Sequence, residues 1–251
     1  INSLDTSFRT LIYDLYSRDL SRRVKNAKKA RAECGAFLSP YAPYGYVKDP
    51  KDKNHLLIDT EAAEVIRRIF QMAADGAKTW EIAAALNGDG VSSPKNYKVE
   101  AGCTRKPWRS IQEENFWTAS LVAKFLRDER YIGKTVYGKR SRDIVGSTHT
   151  VKISRNDWVI VPDRHEAIVP EVLFEKAQAC MREYREREVM TGGGNPLKRK
   201  VICGVCGHAM QRDSRKNGSY RCVMKRLNTG FDCSEEKVPE ADILEAVIDT
   251  I

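Results

Sequence analysis

Apolar side chains recur at intervals of three and four residues in several stretches of the chain, a spacing that predicts amphipathic helices. The first stretch predicts one long helix over residues 6–33, ending near Gly35. After Val24 the apolar stripe stops and basic residues dominate. We therefore expect the first half of this helix to pack against protein and the second half to meet an anionic partner. The stripe comprises Phe8, Leu11, Ile12, Leu15, Tyr16, Leu20 and Val24.

Further helices and short strands follow. Residues 36–50 are rich in proline and glycine and predict an extended arm leading into a turn. A short strand is expected at residues 56–58, and residues 89–116 are expected to form a loop. Helices are predicted from Thr60 to about Gly76, over 80–86, over 117–127 with Thr118 as the cap, after Pro170, and again from Pro239.

Three segments predict strands separated by charged turns, at 131–140, 149–154 and 158–162. The glycine-rich stretch at 191–196 predicts a linker. The expected fold class is therefore α+β and mostly helical. We predict four parts: a linking helix at 1–35, a helical domain with a small β element at 36–190, the linker, and a small cysteine-containing domain at 197–251.

Charge and cysteine content narrow the class of protein. Lys and Arg total 43 against 34 Asp and Glu, a net charge of +9, which suggests a polyanionic partner such as nucleic acid. The alternative is a soluble basic protein with a solvated surface, and composition alone does not decide between the two. No apolar stretch reaches the roughly 18 residues of a membrane span, and no secretory signal is present. We expect a reduced cytosolic compartment, in which clustered cysteines indicate a metal before a disulfide. Because the chain begins with Ile1, we expect it to be a fragment of a longer protein.

Four of the seven cysteines are placed as metal ligands. Cys203 and Cys206 form a C-x2-C pair, and Cys222 and Cys233 follow. Two thiolates three residues apart in a tight turn suit one tetrahedral zinc ion. A bound metal would also stabilise the fold of a domain this small. We predict one structural Zn²⁺ in a zinc ribbon. The second pair lacks C-x2-C spacing, so His208 is kept as an alternative ligand, and four unrelated reduced cysteines are the other interpretation.

The helices at 79–87 and 117–127 resemble the two helices of a helix-turn-helix. In that interpretation the second helix enters the major groove of DNA with four exposed polar residues: Thr118, Ser120, Lys124 and Arg127. The intervening segment is much longer than the usual turn of three or four residues. The alternative is two ordinary core helices.

The basic end of the first helix and the proline-rich arm predict a contact along the minor groove. The alternative is a solvated charged face. No nucleophile is paired with a base, and no phosphate-binding glycine loop is present, so we assign no catalytic residue. The cations assigned to DNA here are Arg22, Arg23, Lys25, Lys28, Lys29 and Arg31.

Taken in order, these segments resemble the C-terminal part of the large serine recombinases, the integrases of phages and resolvases of transposons. The resemblance spans most of the chain. It lies in DLSRR and PYGY, in EAAEVIRRIF and TWEIAAALNGDGV, in FWTASLVAKFLRDERYIG, in HEAIVPEVLFEKAQ, and in the cysteine set with Tyr220-Arg221-Cys222.

The resemblance implies sequence-specific binding of double-stranded DNA at attachment sites of a mobile element, in the bacterial cytoplasm. It implies that the parent protein forms dimers and a synaptic tetramer and cleaves DNA with a serine that lies in a catalytic domain not matched here. It also implies a coiled coil that is only beginning at Ile251. Further DNA contacts are assigned to Tyr44, Tyr46, Lys139, Arg140, Arg212, Arg215, Lys216 and Arg221.

Two other functions remain open from the residues alone. One is a transcription regulator with a helix-turn-helix and a zinc ribbon. The other is a module whose zinc ribbon binds protein and whose charge is incidental. The DNA sequence bound, and the choice between integrase and resolvase, are not predicted.

Overall fold

The structure is a computed structural model that describes residues 3–102, 116–142, 147–191, 197, 200–213, 218–227, 232–233 and 236–248. It divides the chain into two compact units. The first comprises Ile1–Arg67 and Asp128–Glu171, and the second comprises Arg68–Arg127 and Val172–Ile251. Helices make up half of the structure and the strands are short, as the predicted fold class requires.

The first unit begins with the long helix and continues with three short antiparallel strand pairings and turns. Strand β1 pairs with β2, β3 with β6, and β4 with β5. Two 3-10 turns lie at Glu129–Ile132 and Arg155–Asp157. The elements are α1 (Ser3–Glu33), β1 (Tyr46–Lys48), β2 (Leu56–Ile58), β3 (Thr135–Tyr137), β4 (Arg140–Ser141), β5 (Val151–Lys152) and β6 (Val159–Val161).

Helix α1 ends at the predicted residue and begins three residues earlier than predicted, and Gly35 follows it with φ +82°, a conformation that favours glycine. The apolar stripe of its first half is exposed in this structure: Phe8 is 62% exposed and Tyr16 67%. The expectation that the stripe packs against protein is therefore wrong for the described residues. Helix α1 contacts β3 and β6, which leaves its first half uncovered.

The predicted extended arm is folded into the first unit. Tyr46 pairs with Ile58 in the β1–β2 ladder, and Phe37 and Tyr44 are buried. Gly45, at φ +91°, lets the backbone pass close to Ile66, whose Cγ1 would lie 3.2 Å from an added Cβ. The expectation of an extended arm came from the local proline and glycine content. Local composition does not show which distant residues the segment packs against.

Helix α2 (Thr60–Ala74) contains the boundary between the units, and buries a face that includes Ile66, Ile69 and Phe70. The second unit continues with α3 (Thr79–Gly88), α4 (Pro94–Glu100), α5 (Ala119–Leu126) and α6 (Glu171–Thr191). The first residue of α6, Glu171, belongs to the first unit. Helices α3 and α5 pack against each other.

Helix α4 corrects the prediction of a loop over residues 89–116. Ser93 caps it, with the hydroxyl accepting from the N–H of Asn96 at 3.5 Å, and Pro94 occupies its first turn. This Ser-Pro start is a recognised helix signal. Residues 103–115 lie outside the described part.

The cysteine-containing region of the second unit forms a small antiparallel sheet with two short helices. An isolated antiparallel bridge joins Ile202 to Ala209, on either side of the C-x2-C turn. The sheet has three antiparallel strands, and the middle strand pairs with both of the others. The elements are β7 (Gln211–Asp213), β8 (Ser219–Arg221), α7 (Met224–Leu227), β9 (Val238–Pro239) and α8 (Glu240–Ile248). Among the described residues, no helix has the length and apolar character needed to cross a membrane.

Candidate nucleic-acid interface and metal centre

The four predicted cysteine ligands converge. The sulfur atoms of Cys203, Cys206, Cys222 and Cys233 all lie within 4.8 Å of one another. Cys222 and Cys233 are almost fully buried, with 2% and 1% exposure. The sulfurs of Cys206 and Cys222 are 3.6 Å apart. Four thiolates around zinc at a Zn–S distance of about 2.3 Å would be about 3.8 Å apart, so the group fits a tetrahedral metal. These residues form a metal-binding site.

The local backbone explains why the C-x2-C pair points to one place. The N–H of Gly207 donates to the carbonyl of Cys203 at 2.9 Å, and Gly207 has φ +68°, which closes the turn. The backbone N–H groups of Cys206 and Val205 lower the pKa of the Cys203 thiol to about 7, because they stabilise the thiolate. Burial raises the pKa of the Cys222 and Cys233 thiols. A thiolate is the form that binds metal.

His208 does not belong to this group. Its Nδ1 lies 2.9 Å from the carbonyl of Cys206, and its ring contacts the ring of Phe116 edge-on, with centroids 6.1 Å apart. The alternative in which His208 replaces a cysteine is therefore not supported.

The predicted helix pair is present with its expected packing. Ile82, Ala83 and Leu86 of α3 are fully buried. In α5, Val122 and Leu126 are fully buried and Phe125 nearly so. The ring of Phe125 meets the buried ring of Trp117 edge-on at 5.7 Å.

One side of α5 faces solvent with Ser120, Lys124 and Arg127, which are exposed as predicted. For Thr118 the predicted role as helix cap is confirmed, whereas its predicted exposure is not. It is half-buried, and its Oγ1 accepts from the N–H of Leu121 at 3.2 Å, so it serves as the helix cap.

The basic half of α1 adjoins a basic hairpin in the first unit. Lys25 Nζ donates to the carbonyl of Arg142 at 2.7 Å, next to strand β4. This contact brings Arg140 and Lys152, which face each other across the β4–β5 pair, to the helix. We call the exposed cations of α1 from Arg22 to Arg31, with those of residues 139–155, the basic surface. Its predicted members Arg22, Arg23, Lys25, Lys28, Lys29, Arg31, Lys139 and Arg140 are all exposed.

Several cations of the basic surface already have partners. Asp19 accepts from Arg22 at 2.9 Å and from Arg23 at 2.7 Å, and these two hydrogen bonds lower the pKa of its carboxyl. Lys29 lies 3.9 Å from Glu33. Arg31 donates to the amide oxygen of Asn54 at 3.1 Å.

The ring of Trp158 contacts two cations of the basic surface, Lys139 and Arg155, which the sequence analysis did not single out as a group. Lys139 Nζ lies 5.2 Å from the centroid of the Trp158 ring, and the guanidinium carbon of Arg155 lies 5.8 Å from it. The indole N–H donates to the carbonyl of Ile153 at 3.0 Å. The dense run of Lys and Arg around residue 140 was the available signal.

The structure removes Tyr44 and Tyr46 from the interface, because both side chains are buried, at 5% and 3% exposure. The Tyr46 hydroxyl lies 2.9 Å from the carbonyl of Glu166 and 3.2 Å from that of Arg130. Burial raises its pKa. The ring also stacks on Tyr131 and meets His165 edge-on. These tyrosines belong to the core of the first unit.

In the cysteine-containing region, Arg212 pairs with Glu240, with Nε 3.0 Å from a carboxylate oxygen. This hydrogen bond raises the pKa of the guanidinium. Arg221 is half-buried in β8. The predicted contacts Arg215 and Lys216 lie outside the described residues.

Comparison with known families identifies the class of protein to which this chain belongs. The family described as Recombinase matches residues 60–184, and the family described as Recombinase zinc beta ribbon domain matches residues 196–251. The chain belongs to the recombinase family. Its two matched domains, in this order, are those of the C-terminal region of large serine recombinases.

The recombinase chain is also similar to individual proteins. It is 23% identical over 163 residues to the uncharacterized protein YefB of Bacillus subtilis (strain 168), covering 65% of this chain and 50% of that protein. It therefore spans about half the length of this curated relative.

Two solved structures are similar as well. One, titled "Sequence Requirements of the Listeria innocua prophage attP site", is 18% identical with a TM-score of 0.40, over 91% of this chain and 85% of that chain. The other, "Crystal Structure of a LSR-DNA Complex", is 17% identical with a TM-score of 0.43, over 91% and 64%.

Proposed function

We propose that this chain binds double-stranded DNA sequence-specifically at the attachment sites of a mobile element, as the DNA-binding part of a site-specific serine recombinase. The observation that carries the proposal is the succession, in one chain, of a recombinase domain and a recombinase zinc beta ribbon. This succession favours recombination over transcription regulation or a protein-binding zinc module.

The exposed groups of the chain suit two different kinds of contact with DNA. Phosphate contacts position a protein, and base contacts in the major groove specify sequence. The basic surface offers exposed lysines and arginines from α1 and from residues 139–155, which suits phosphates. Helix α5 offers Ser120, Lys124 and Arg127 on one exposed side, which suits base edges. Arg221, Arg212, Arg215 and Lys216 remain the proposed contacts of the ribbon.

We propose that the metal is one structural Zn²⁺ held by the four cysteines. Four thiolates leave no open coordination position, so the ion would stabilise the ribbon without taking part in chemistry. Elemental analysis should find about one zinc per chain, and replacing Cys222 with Ser should reduce it and unfold the ribbon. Folded protein that contains no metal would contradict the assignment.

Cleavage is proposed to belong to a serine in another part of the parent protein, which would act as a dimer and a synaptic tetramer in the bacterial cytoplasm. The 251-residue chain should therefore bind DNA without cutting it. The four-part domain division at 1–35, 36–190, 191–196 and 197–251 also stays a proposal.

A salt titration tests DNA binding directly. A protein that neutralises six to ten phosphates loses about 10³–10⁵ in affinity between 50 and 200 mM salt. We expect a steep fall of this kind on duplex DNA from the ends of the element, and a DNase footprint will locate the site. An affinity that hardly changes with salt would refute phosphate contact and with it the proposed function.

A further inference from the structure

The indole of Trp158 lies at the base of the β4–β5 pair in the first unit. Its N–H donates to the carbonyl of Ile153 at 3.0 Å, and the N–H of Ile153 donates to the carbonyl of Lys139 at 3.1 Å. The second bond extends the two-residue ladder by one step beyond its pair Arg140–Lys152. Because the chain runs from Trp158 directly into β6, the β4–β5 pair is tied at its base to the β3–β6 pair.

The ring of Trp158 also contacts residues on both sides of this ladder. Lys139 lies directly before β4, and Arg155 lies three residues after β5. Their charged groups are 5.2 and 5.8 Å from the ring centroid, within the range of about 6 Å for cation–π attraction. Each is also close to a carboxylate, since Lys139 Nζ lies 4.0 Å from Asp128 and Arg155 pairs with Glu129. Both cations are thus engaged within the protein, where they fix the position of the ring.

Arg140 and Lys152 are placed differently. They lie opposite each other in the ladder, and both side chains are exposed. Opposite residues of an antiparallel pair project from the same face with Cβ atoms about 4.5–5.5 Å apart, and like charges in this arrangement destabilise the pair. Within the described residues, neither side chain is paired with a carboxylate. An anion bound here would remove the repulsion.

We propose that Arg140 and Lys152 form a site for two neighbouring phosphates of one DNA strand, with Trp158 as its positioning residue. Such phosphates are about 3.4 Å apart along the helix axis, so two adjacent cations can each contact one. Trp158 fixes the ladder from which both cations project, so less conformational entropy is lost when they bind. The site rests on the proposed function, because its ligand is duplex DNA.

The phosphate site is tested on the full zinc-loaded chain by fluorescence anisotropy, with a duplex that contains the footprinted sequence. Arg140→Gln with Lys152→Gln should lower the slope of log K against log salt concentration by about 1.8, from two contacts of about 0.9 each. Binding at 0.1 M salt should weaken about 60-fold. A loss of slope smaller than about 0.9, the value of one contact, would overturn the site.

The role of Trp158 is tested by repeating this double neutralisation in a Trp158→Leu background. If Trp158 positions the two cations, their neutralisation should now cost less than about ten-fold in affinity, whereas independent residues give additive losses. Trp80→Leu, the same substitution at a half-buried tryptophan of α3, is the matched control. In that background the neutralisation should keep its cost of about 60-fold. A full cost in the Trp158→Leu background would overturn the positioning role.

A measurement without DNA separates this inference from the proposed function. The ¹⁵N heteronuclear NOE values of the Arg140 and Lys152 amides should match those of α2 in the wild type and in Trp80→Leu, and should fall below them in Trp158→Leu. Trp158→Phe, which keeps an aromatic ring but loses the N–H bond to Ile153, is the milder variant and should lower them less. Unchanged NOE values in both Trp158 variants would overturn the positioning role. Absence of binding to any duplex would instead refute the proposed function, and the NOE values would still show whether Trp158 fixes the ladder.

Discussion

Neutralising two exposed cations of the basic surface should weaken DNA binding by an amount that can be worked out. Lys28 lies in the basic half of α1 and Arg140 in β4, and both are exposed. Each phosphate contact contributes about 0.9 to the slope of log K against log salt concentration. Lys28→Gln with Arg140→Gln should therefore lower the slope by about 1.8. If counterion release contributes nothing at 1 M salt, the same two contacts are worth about 60-fold in affinity at 0.1 M.

Fluorescence anisotropy on a duplex that contains the footprinted site, over 0.05–0.3 M salt, measures both quantities. The control is Lys176→Gln with Arg182→Gln, which removes the same charge from exposed positions of α6. Exposed substitutions of this kind change stability by less than about 0.5 kcal/mol, so the fold should be unaffected. Equal losses of slope in the two double variants would refute the basic surface as the DNA contact, because only net charge would then matter.

Three further predictions concern single residues. Thr118→Ala should lower the free energy of unfolding by about 1 kcal/mol through loss of the α5 cap, measured by urea unfolding with exposed Ser120→Ala as control; equal losses would contradict the cap. Asp19→Asn should strengthen DNA binding by freeing Arg22 and Arg23, and unchanged or weaker binding would argue against phosphate contact by these arginines. Asp128→Asn should destabilise the protein by roughly 1–3 kcal/mol at pH 7, and the difference in stability between wild type and variant should vanish in acid. A loss of stability that does not depend on pH would refute a stabilising charge on Asp128.

The sign of the Asp128 effect follows from its surroundings. Burial by itself would raise the pKa of Asp128, but Arg130, with Nε 2.8 Å from Oδ1, outweighs burial and the pKa lies below its usual value. A lowered pKa in the folded state means that the stabilisation is complete above the unfolded value of about 4. It is lost as the pH falls through the folded pKa. Urea unfolding at pH 7 and below pH 4 therefore distinguishes the charge from mere packing.

His165 adds to acid sensitivity in the same direction. Its ring is buried, with Nε2 2.7 Å from the carbonyl of Arg130, and burial lowers its pKa. The folded state therefore binds a proton less readily than the unfolded chain. Stability should already begin to fall below about pH 6.5, the ordinary value for histidine, before Asp128 starts to titrate.

Local patterns were sufficient for the elements and for the metal site. The extent of α1 follows from apolar spacing and a glycine stop, and the ligands Cys203 and Cys206 from their separation alone. The cap of α5 by Thr118 was likewise visible in the sequence. In each case the information lies within a few residues, so no knowledge of the tertiary structure is needed.

Contacts between distant residues were not predictable in this way. The burial of Tyr46 depends on carbonyls 84 and 120 residues away, at Arg130 and Glu166. The meeting of α1 with the β4–β5 hairpin depends on Lys25 and Arg142, 117 residues apart. The tyrosines were assigned to DNA because a polar ring in a proline-rich arm has the same local appearance whether it faces DNA or the core.

Ion pairing also changes what the basic composition means for DNA. Of the twelve cations assigned to DNA that lie in the described part of the chain, five are within 4.0 Å of a carboxylate: Arg22, Arg23, Lys29, Lys139 and Arg212. A cation that is already paired gains little by exchanging its carboxylate for a phosphate, since exposed pairs are worth at most about 1 kcal/mol and a new negative charge is left behind. Lys124 and Arg127 are assigned to base edges, which leaves ten of these cations for phosphate. If only the five of the ten that are not among the paired cations contact phosphate, they would give a slope of about −4.5, against about −9 for all ten. The acidic neighbours therefore limit non-specific affinity, and this increases the share of binding energy that base contacts from α5 must supply.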